Sequence, residues 1–200
     1  MDLSVTFLGT GGPVPTALRN TASVLITRGG EKLMFDCGEG TQRQMRCSVG
    51  LTPVDQIYLT HFHLDHCLGL PGLLKTSHLG DRTEPMRIFG PAGLEKLLSD
   101  WHPMIGRLGY HLEVEEVAAG DVIAHDGYEI EVFKAEHSAP NAVGYAMLED
   151  DRPGRFDPEV ARELGVAEGP DFKLLQSGQT VTGSKGEVRP DQVMDEDRFG

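Results

Sequence analysis

The chain reads as an α/β domain in which sheets are covered by helices, and three observations predict this class. Short alternating apolar runs with tight turns fill the first part, strand-to-helix steps then follow one another, and ligand-type side chains gather where one strand ends. Leu3 to Leu8 alternates as a half-buried strand and is broken by Gly9-Thr10-Gly11-Gly12-Pro13. That glycine loop has neither dinucleotide spacing nor a lysine-serine pair, so it reads as a tight turn lining a site, not as a phosphate cradle. Ser23 to Thr27 and Lys32 to Asp36 are further strands joined by the hairpin signal Arg28-Gly29-Gly30-Glu31, which makes the sheet antiparallel at its start. Thr41, a capping residue, opens a run of helix formers to Arg46. The same order returns at Ile57 to Leu59, a His/Asp cluster and a helix near Leu73 to His78. It returns again at Met86 to Phe89, Gly90-Pro91 and a helix over Ala92 to Trp101. Leu112 to Val117, Val122-Ile123, Tyr128 to Ala135 and Val143 to Leu148 are strands again. From Asp150 onward proline, glycine and charge recur around one short helical run, Pro158 to Leu164. Such a stretch packs poorly into a core, so a projecting arm is expected, with a disordered linker as the competing form.

The chemistry is concentrated in His61-Phe62-His63-Leu64-Asp65-His66. In an extended segment side chains alternate faces, so His61 and His63 point the same way and can close on one ion. Asp65 continues that parity, whereas His66 breaks it and needs a turn, which Gly69 and Pro71-Gly72 permit. A second ion can then sit beside the first. His137, in Glu136-His137-Ser138-Ala139-Pro140, ends a strand in the same manner and is the candidate third ligand for the ion of His61 and His63, against the plainer reading of a polar turn residue. Imidazole with carboxylate suits zinc, with manganese or iron as competitors, and open positions on such ions hold water for hydrolysis. Asp65 can bind metal and also orient or deprotonate that water. His78, His102, His111 and His125 show no partner pattern and read as surface or satisfied core residues.

Composition bounds the rest. The 200 residues suit one domain or one large fragment, and no apolar run is long enough to span a bilayer. Met1-Asp2-Leu3-Ser4 lacks the features of a signal peptide, so a cytoplasmic protein is expected. Cys37, Cys47 and Cys67 are an odd number of thiols and read as reduced, with Cys37 and Cys67 as small buried hydrophobes. The net charge of −13 argues against a broad electrostatic grip on nucleic acid, and its even spread fits adaptation to high salt.

Several blocks resemble one family closely. Phe7-Leu8-Gly9-Thr10-Gly11-Gly12, Pro15-Thr16, Arg19-Asn20 and Phe35-Asp36-Cys37-Gly38-Glu39-Gly40-Thr41-Gln42 are similar to the N-terminal blocks of ribonuclease Z, within the metallo-β-lactamase superfamily. Thr60 through His66, Gly69-Leu70-Pro71-Gly72-Leu73-Leu74, and Gly90-Pro91 with Gly93-Leu94 continue the resemblance, which runs from Leu3 to about Val193. The histidine cluster is shared across the superfamily; the DCGEGTQ and GLPGLL blocks are the selective ones. The resemblance implies a metallo-β-lactamase-like αββα sandwich and a zinc-dependent endonuclease that removes the 3′ trailer from precursor tRNA, leaving a 3′-hydroxyl. It also implies two zinc ions per complete subunit and a homodimer. By position His61, His63 and His137 would bind the first ion and Asp65 and His66 the second, with Asp65 as proton acceptor. Arg152, Gly154, Arg155 and Phe156, with Gly169 and Pro170, resemble the arm with which the family holds tRNA away from the cut.

Two departures accompany the resemblance. The family places a bridging aspartate and a last metal histidine in its C-terminal third, yet no histidine follows His137. Asp191, Asp195 and Asp197 read as solvated charges. The expected organisation is therefore an N-terminal metallo-β-lactamase-like part over residues 1–149, an arm over 150–193, and the start of a further part over 194–200. Residues 150–191 are also more acidic than basic, so this arm would hold tRNA by local geometry or under high salt. The alternatives are a small-ester phosphodiesterase or sulfatase of the same superfamily, for which an arm has no use, and an inactive truncated remnant.

Overall fold

The computed structural model describes residues 2–151 and 154–195. It divides into two compact units, Met1–Ile123 with Ile130–Ala146, and Ala124–Glu129 with Met147–Gly200. In the first unit, strands β1 (Leu3–Gly9), β2 (Ser23–Arg28) and β3 (Glu31–Phe35) form an antiparallel meander, as the hairpin signal requires. Strands β4 (Gln56–Tyr58), β5 (Met86–Gly90) and β6 (Leu112–Glu116) then add in parallel, giving a six-stranded sheet in chain order. The change to parallel pairing needs crossovers, and helices supply them. These are α1 (Thr41–Ser48), the four-residue α2 (Leu64–Cys67), α3 (Leu70–Leu79) and α4 (Leu94–Ile105).

Directly paired residues share a face, so the register separates two apolar layers. Leu25, Met34, Ile57 and Ile88 form one row and are buried with Met45, Leu70, Leu74, Leu94 and Leu98 of the helices. Phe35, Tyr58 and Phe89 form the other, stacked at 4.8 Å between successive ring centroids, with the Tyr145 ring edge-on to Tyr58 at 5.3 Å. A three-stranded sheet of β7 (Val122–His125), β8 (Tyr128–Lys134) and β9 (Val143–Glu149) follows. Within the first unit, Tyr145 donates its hydroxyl proton to the Leu59 carbonyl at 2.9 Å and Val143 N–H bonds the Thr60 carbonyl. The six-stranded sheet, with α1, α3 and α4 packed on one face and its aromatic row meeting Tyr145 of β9 on the other, agrees with the layered α/β class expected from the sequence.

Some boundaries differ from expectation. Thr41 does not cap α1: Gly40 holds that position at φ 81°, and Thr41 is the first helical residue, donating to the Gly38 carbonyl. Helix α3 begins three residues earlier than the expected Leu73, because Pro71 fits the first turn of a helix, where no backbone N–H is needed. The second unit holds α5 (Pro158–Glu163), capped by Asp157, α6 (Pro170–Gln176), and the hairpin β10 (Val181–Gly183) and β11 (Gly186–Val188). Far from lacking a core, it buries Ala161, Val166, Leu175, Val181, Val188 and Val193 together. Its apolar residues are too widely and irregularly spaced to announce themselves as one face of a helix or strand.

Candidate metal centre

Strand β4 ends at Tyr58, and the chain continues through Leu59, Thr60 and His61 to His63 before α2 begins. The turn that His66 was expected to need arrives earlier than Gly69, immediately after His63. Asp65 therefore lies on a helical turn with His66, not on a continued extended segment. The outcome still gathers the side chains. His61, His63 and His137 each offer an imidazole nitrogen, and the three atoms lie within 4.8 Å of one another. The ring of His66 lies 4.1 Å from that of His61, and its Nε2 is 3.5 Å from Asp65 Oδ2. His137 reaches the group from the end of β8, and the Ala139 amide donates to its Nδ1 at 3.1 Å.

His61 is the inner member, only 4% exposed. Thr60 Oγ1 lies 2.9 Å from its Nδ1, whereas its Nε2 is buried without a hydrogen-bond partner among the described residues. Burial, with the neighbouring His66, His137 and His63, lowers its pKa to about 4. A neutral imidazole with an orphaned nitrogen facing two others is the donor set a divalent metal takes. The residues present therefore fit a metal ion.

Asp36 organises the second half of the site and was not singled out by sequence reasoning. Its carboxylate is buried; Oδ1 accepts from the Thr60 amide at 2.8 Å, the Thr60 hydroxyl lies 3.0 Å from both oxygens, and Oδ2 lies 2.6 Å from His66 Nδ1. A carboxylate behind an imidazole fixes its tautomer and leaves Nε2 to face the ligand. Burial opposes charging of His66, but the hydrogen bond and charge of Asp36, with the charge of Asp65, outweigh it and raise its pKa. Asp36 itself sits at φ 57°, a backbone conformation rare outside glycine, asparagine and aspartate. The only signal in the chain was its place in the Asp36-Cys37-Gly38 block after a strand.

Two glycines let this loop cross the helix α2 turn. A Cβ on Gly38 would meet the Asp65 carbonyl oxygen at 2.1 Å, and one on Gly69 the Gly38 carbonyl oxygen at 2.1 Å. The close approach permits Cys37 N–H to bond the His66 carbonyl at 2.7 Å and Gly69 N–H the Cys37 carbonyl at 2.8 Å. Cys37 and Cys67 are both buried; burial pushes the Cys67 thiol up to about 12 and raises Cys37 as well. Neither offers a thiolate. His78 accepts from the Gly109 amide and His125 stacks on Tyr128, so neither joins the cluster.

The arm residues are placed differently. Arg152 lies outside the described residues, as does Asp197. Gly154 is buried, and Phe156 packs on Phe172 at 5.0 Å between ring centroids as part of the unit's own core, so its ring is not a free contact surface. Arg155, Gly169 and Pro170 are exposed, as are Asp191 and Asp195.

A family model described as "Anti-Pycsar protein Apyc1" matches residues 3–153, three quarters of the chain and every candidate ligand in it. The chain belongs to that family. It is also 44% identical to the ribonuclease Z of Methanosarcina acetivorans over 201 residues, which is 99% of this chain and 65% of that relative. The ribonuclease Z of Haloferax volcanii is 47% identical over 207 residues, covering 100% of this chain and 64% of the relative. The chain thus spans about 65% of the length of the curated relatives it matches. The crystal structure of human tRNase Z, short form, superposes with a TM-score of 0.65 at 30% identity, over 72% of this chain and 64% of that one. A diphosphatase from the PhnP family shares the fold with a TM-score of 0.60 at 21% identity, over 73% of this chain and 62% of that one. The fold is that of the metallo-β-lactamases, and the resemblance to ribonuclease Z read from the sequence extends over the whole chain.

Proposed function

We propose that this chain is the N-terminal two-thirds of a zinc-dependent endoribonuclease that removes the 3′ trailer from precursor tRNA. The observation that carries the reading is the extent of the match: similarity to Apyc1 stops at residue 153, whereas similarity to ribonuclease Z runs through the second unit as well. His61, His63 and His137 would hold one zinc ion, and Asp65 and His66 a second. Ions so held would activate water near neutral pH and would neutralise charge building up on a phosphodiester. The chain's own groups prepare that chemistry. His61 stays neutral because it is buried, Asp36 and Thr60 hold His66 and His61 in orientation, and Asp65 would accept the proton of the attacking water. Water adds to phosphorus and the P–O3′ bond breaks, so the tRNA keeps a 3′-hydroxyl and the trailer a 5′-phosphate. The second unit, with Arg155, Gly169 and Pro170 on its surface, would hold the tRNA body as the arm. A homodimer acting in the cytoplasm completes the reading; among the described residues no helix is long and apolar enough to cross a membrane.

One observation favours a second reading. All candidate ligands lie between His61 and His137, ahead of the proposed arm, so the metal centre without the arm would serve a small phosphodiester equally well. Assaying zinc-loaded protein on precursor tRNA and on a chromogenic phosphodiester separates the two. Cleavage of precursor tRNA at the trailer junction supports the proposal; cleavage of the small ester alone overturns it.

A further inference from the structure

His137 borders a cavity of about 580 Å³ in addition to joining the imidazole cluster. That volume falls in the range of small-molecule sites, roughly 300–1,000 Å³, which are mostly apolar with a few placed polar groups. The lining has this character. Six of its residues are alanines, Ala118 and Ala139 among them, and Val117 and Val143 extend the apolar wall. The polar groups beside His137 are Lys134, Glu136 and Asn141. Alanine walls leave open a slot that larger side chains would fill, and a flat ring can lie against them. Asn141 offers both a donor and an acceptor, Glu136 an acceptor, and Lys134 a positive charge for an anionic flank. Asn141 is held at φ 58° in the turn after β8, which fixes the backbone from which its amide projects.

Because His137 belongs to both places, a ligand whose phosphate lay at the cluster would turn the group next to that phosphate toward the cavity. We propose that the cavity is a specificity pocket for the nucleobase adjoining the scissile phosphate, walled by Ala118 and Ala139 and read at its edge by Glu136 and Asn141. The proposal rests on the reading of the histidine cluster as a phosphodiester-cleaving metal centre. It serves either a tRNA or a smaller nucleotide ester, since both present a base beside the phosphate.

The test is calorimetric titration of the zinc-loaded chain with inorganic phosphate, ribose 5-phosphate and cytidine or adenosine 5′-monophosphate. The expected result is a nucleotide affinity roughly tenfold or more above that of the two base-free probes, a difference of about 1.4 kcal/mol per tenfold. In Ala118→Phe, an exposed position where a larger side chain leaves the core untouched, that advantage should fall to near unity while zinc content stays the same. Ala139→Phe is the second variant and should behave alike. Equal affinities for all the probes overturn the pocket while leaving the metal centre standing, and so does a tenfold advantage that survives both substitutions. Failure to bind zinc or inorganic phosphate overturns the metal-centre reading and the pocket with it.

Discussion

Replacing Asp36 by asparagine isolates what this carboxylate does. Asparagine keeps the shape and tolerates the left-handed backbone at φ 57°, so no new strain enters. One of the two oxygens becomes an NH2 group, and either the Thr60 amide and hydroxyl or His66 Nδ1 must lose its acceptor. Hydrogen bonds to a charged group contribute about 1.5–3 kcal/mol, and a buried donor left without an acceptor costs a similar amount. With a chelator present, thermal unfolding should therefore fall by roughly 3–12 °C, at about 2–4 °C per kcal/mol for a chain of this size. Competition against a chromophoric chelator should show zinc affinity weaker by about 10–100-fold, the usual effect of losing a group that orients a ligand. The pH dependence has a defined sign. His66 has a raised pKa, so its contribution is fully present below its ordinary value of 6.5 and is lost as pH rises through the folded value. Without the Asp36 charge and hydrogen bond, burial is opposed only by the charge of Asp65, so the stability gap between the two proteins should be widest below pH 6.5 and narrow as the pH rises above it. An unchanged melting temperature together with zinc affinity within about twofold of the parent would refute the orienting role of Asp36.

Further outcomes follow from single contacts. His63→Ala, at an exposed position, should abolish tight zinc binding in a metal analysis while changing metal-free stability by less than about 0.5 kcal/mol. Gly38→Ala should cost about 1–3 kcal/mol in denaturant unfolding, because its Cβ would meet the Asp65 carbonyl at 2.1 Å, whereas Gly30→Ala, with nothing within 4 Å, should be nearly neutral. A thiol-reactive dye near pH 8 should modify Cys47 quickly in the folded protein and reach Cys37 and Cys67 only after unfolding, since both are buried with raised pKa values. A second fast thiol in the native protein would contradict their burial.

What could be read in the chain was local. The alternation of Leu3 to Leu8, the hairpin at Gly29-Gly30 and the strand before His61 are short-range patterns whose period reports burial directly. The same holds for His61, His63, Asp65 and His66, which a few peptide units bring together whatever the rest of the chain does. His137 was legible only as a strand-end histidine; that it completes a triad of nitrogens within 4.8 Å is decided by how β8 approaches the end of β4. Asp36 escaped notice because its function needs a left-handed residue and two glycines where loops distant in sequence cross, and no spacing encodes that crossing. The core of the second unit was hidden for a related reason, since Ala161, Val166, Leu175, Val181, Val188 and Val193 follow no period and become neighbours only when the chain closes. The sequence by itself determined which side chains carry ligand-type groups and that they follow a strand end. The tertiary structure alone decided which of those side chains meet, which nitrogen is left without a partner, and which carboxylate stands behind His66, because those are facts of long-range packing and not of neighbours along the chain.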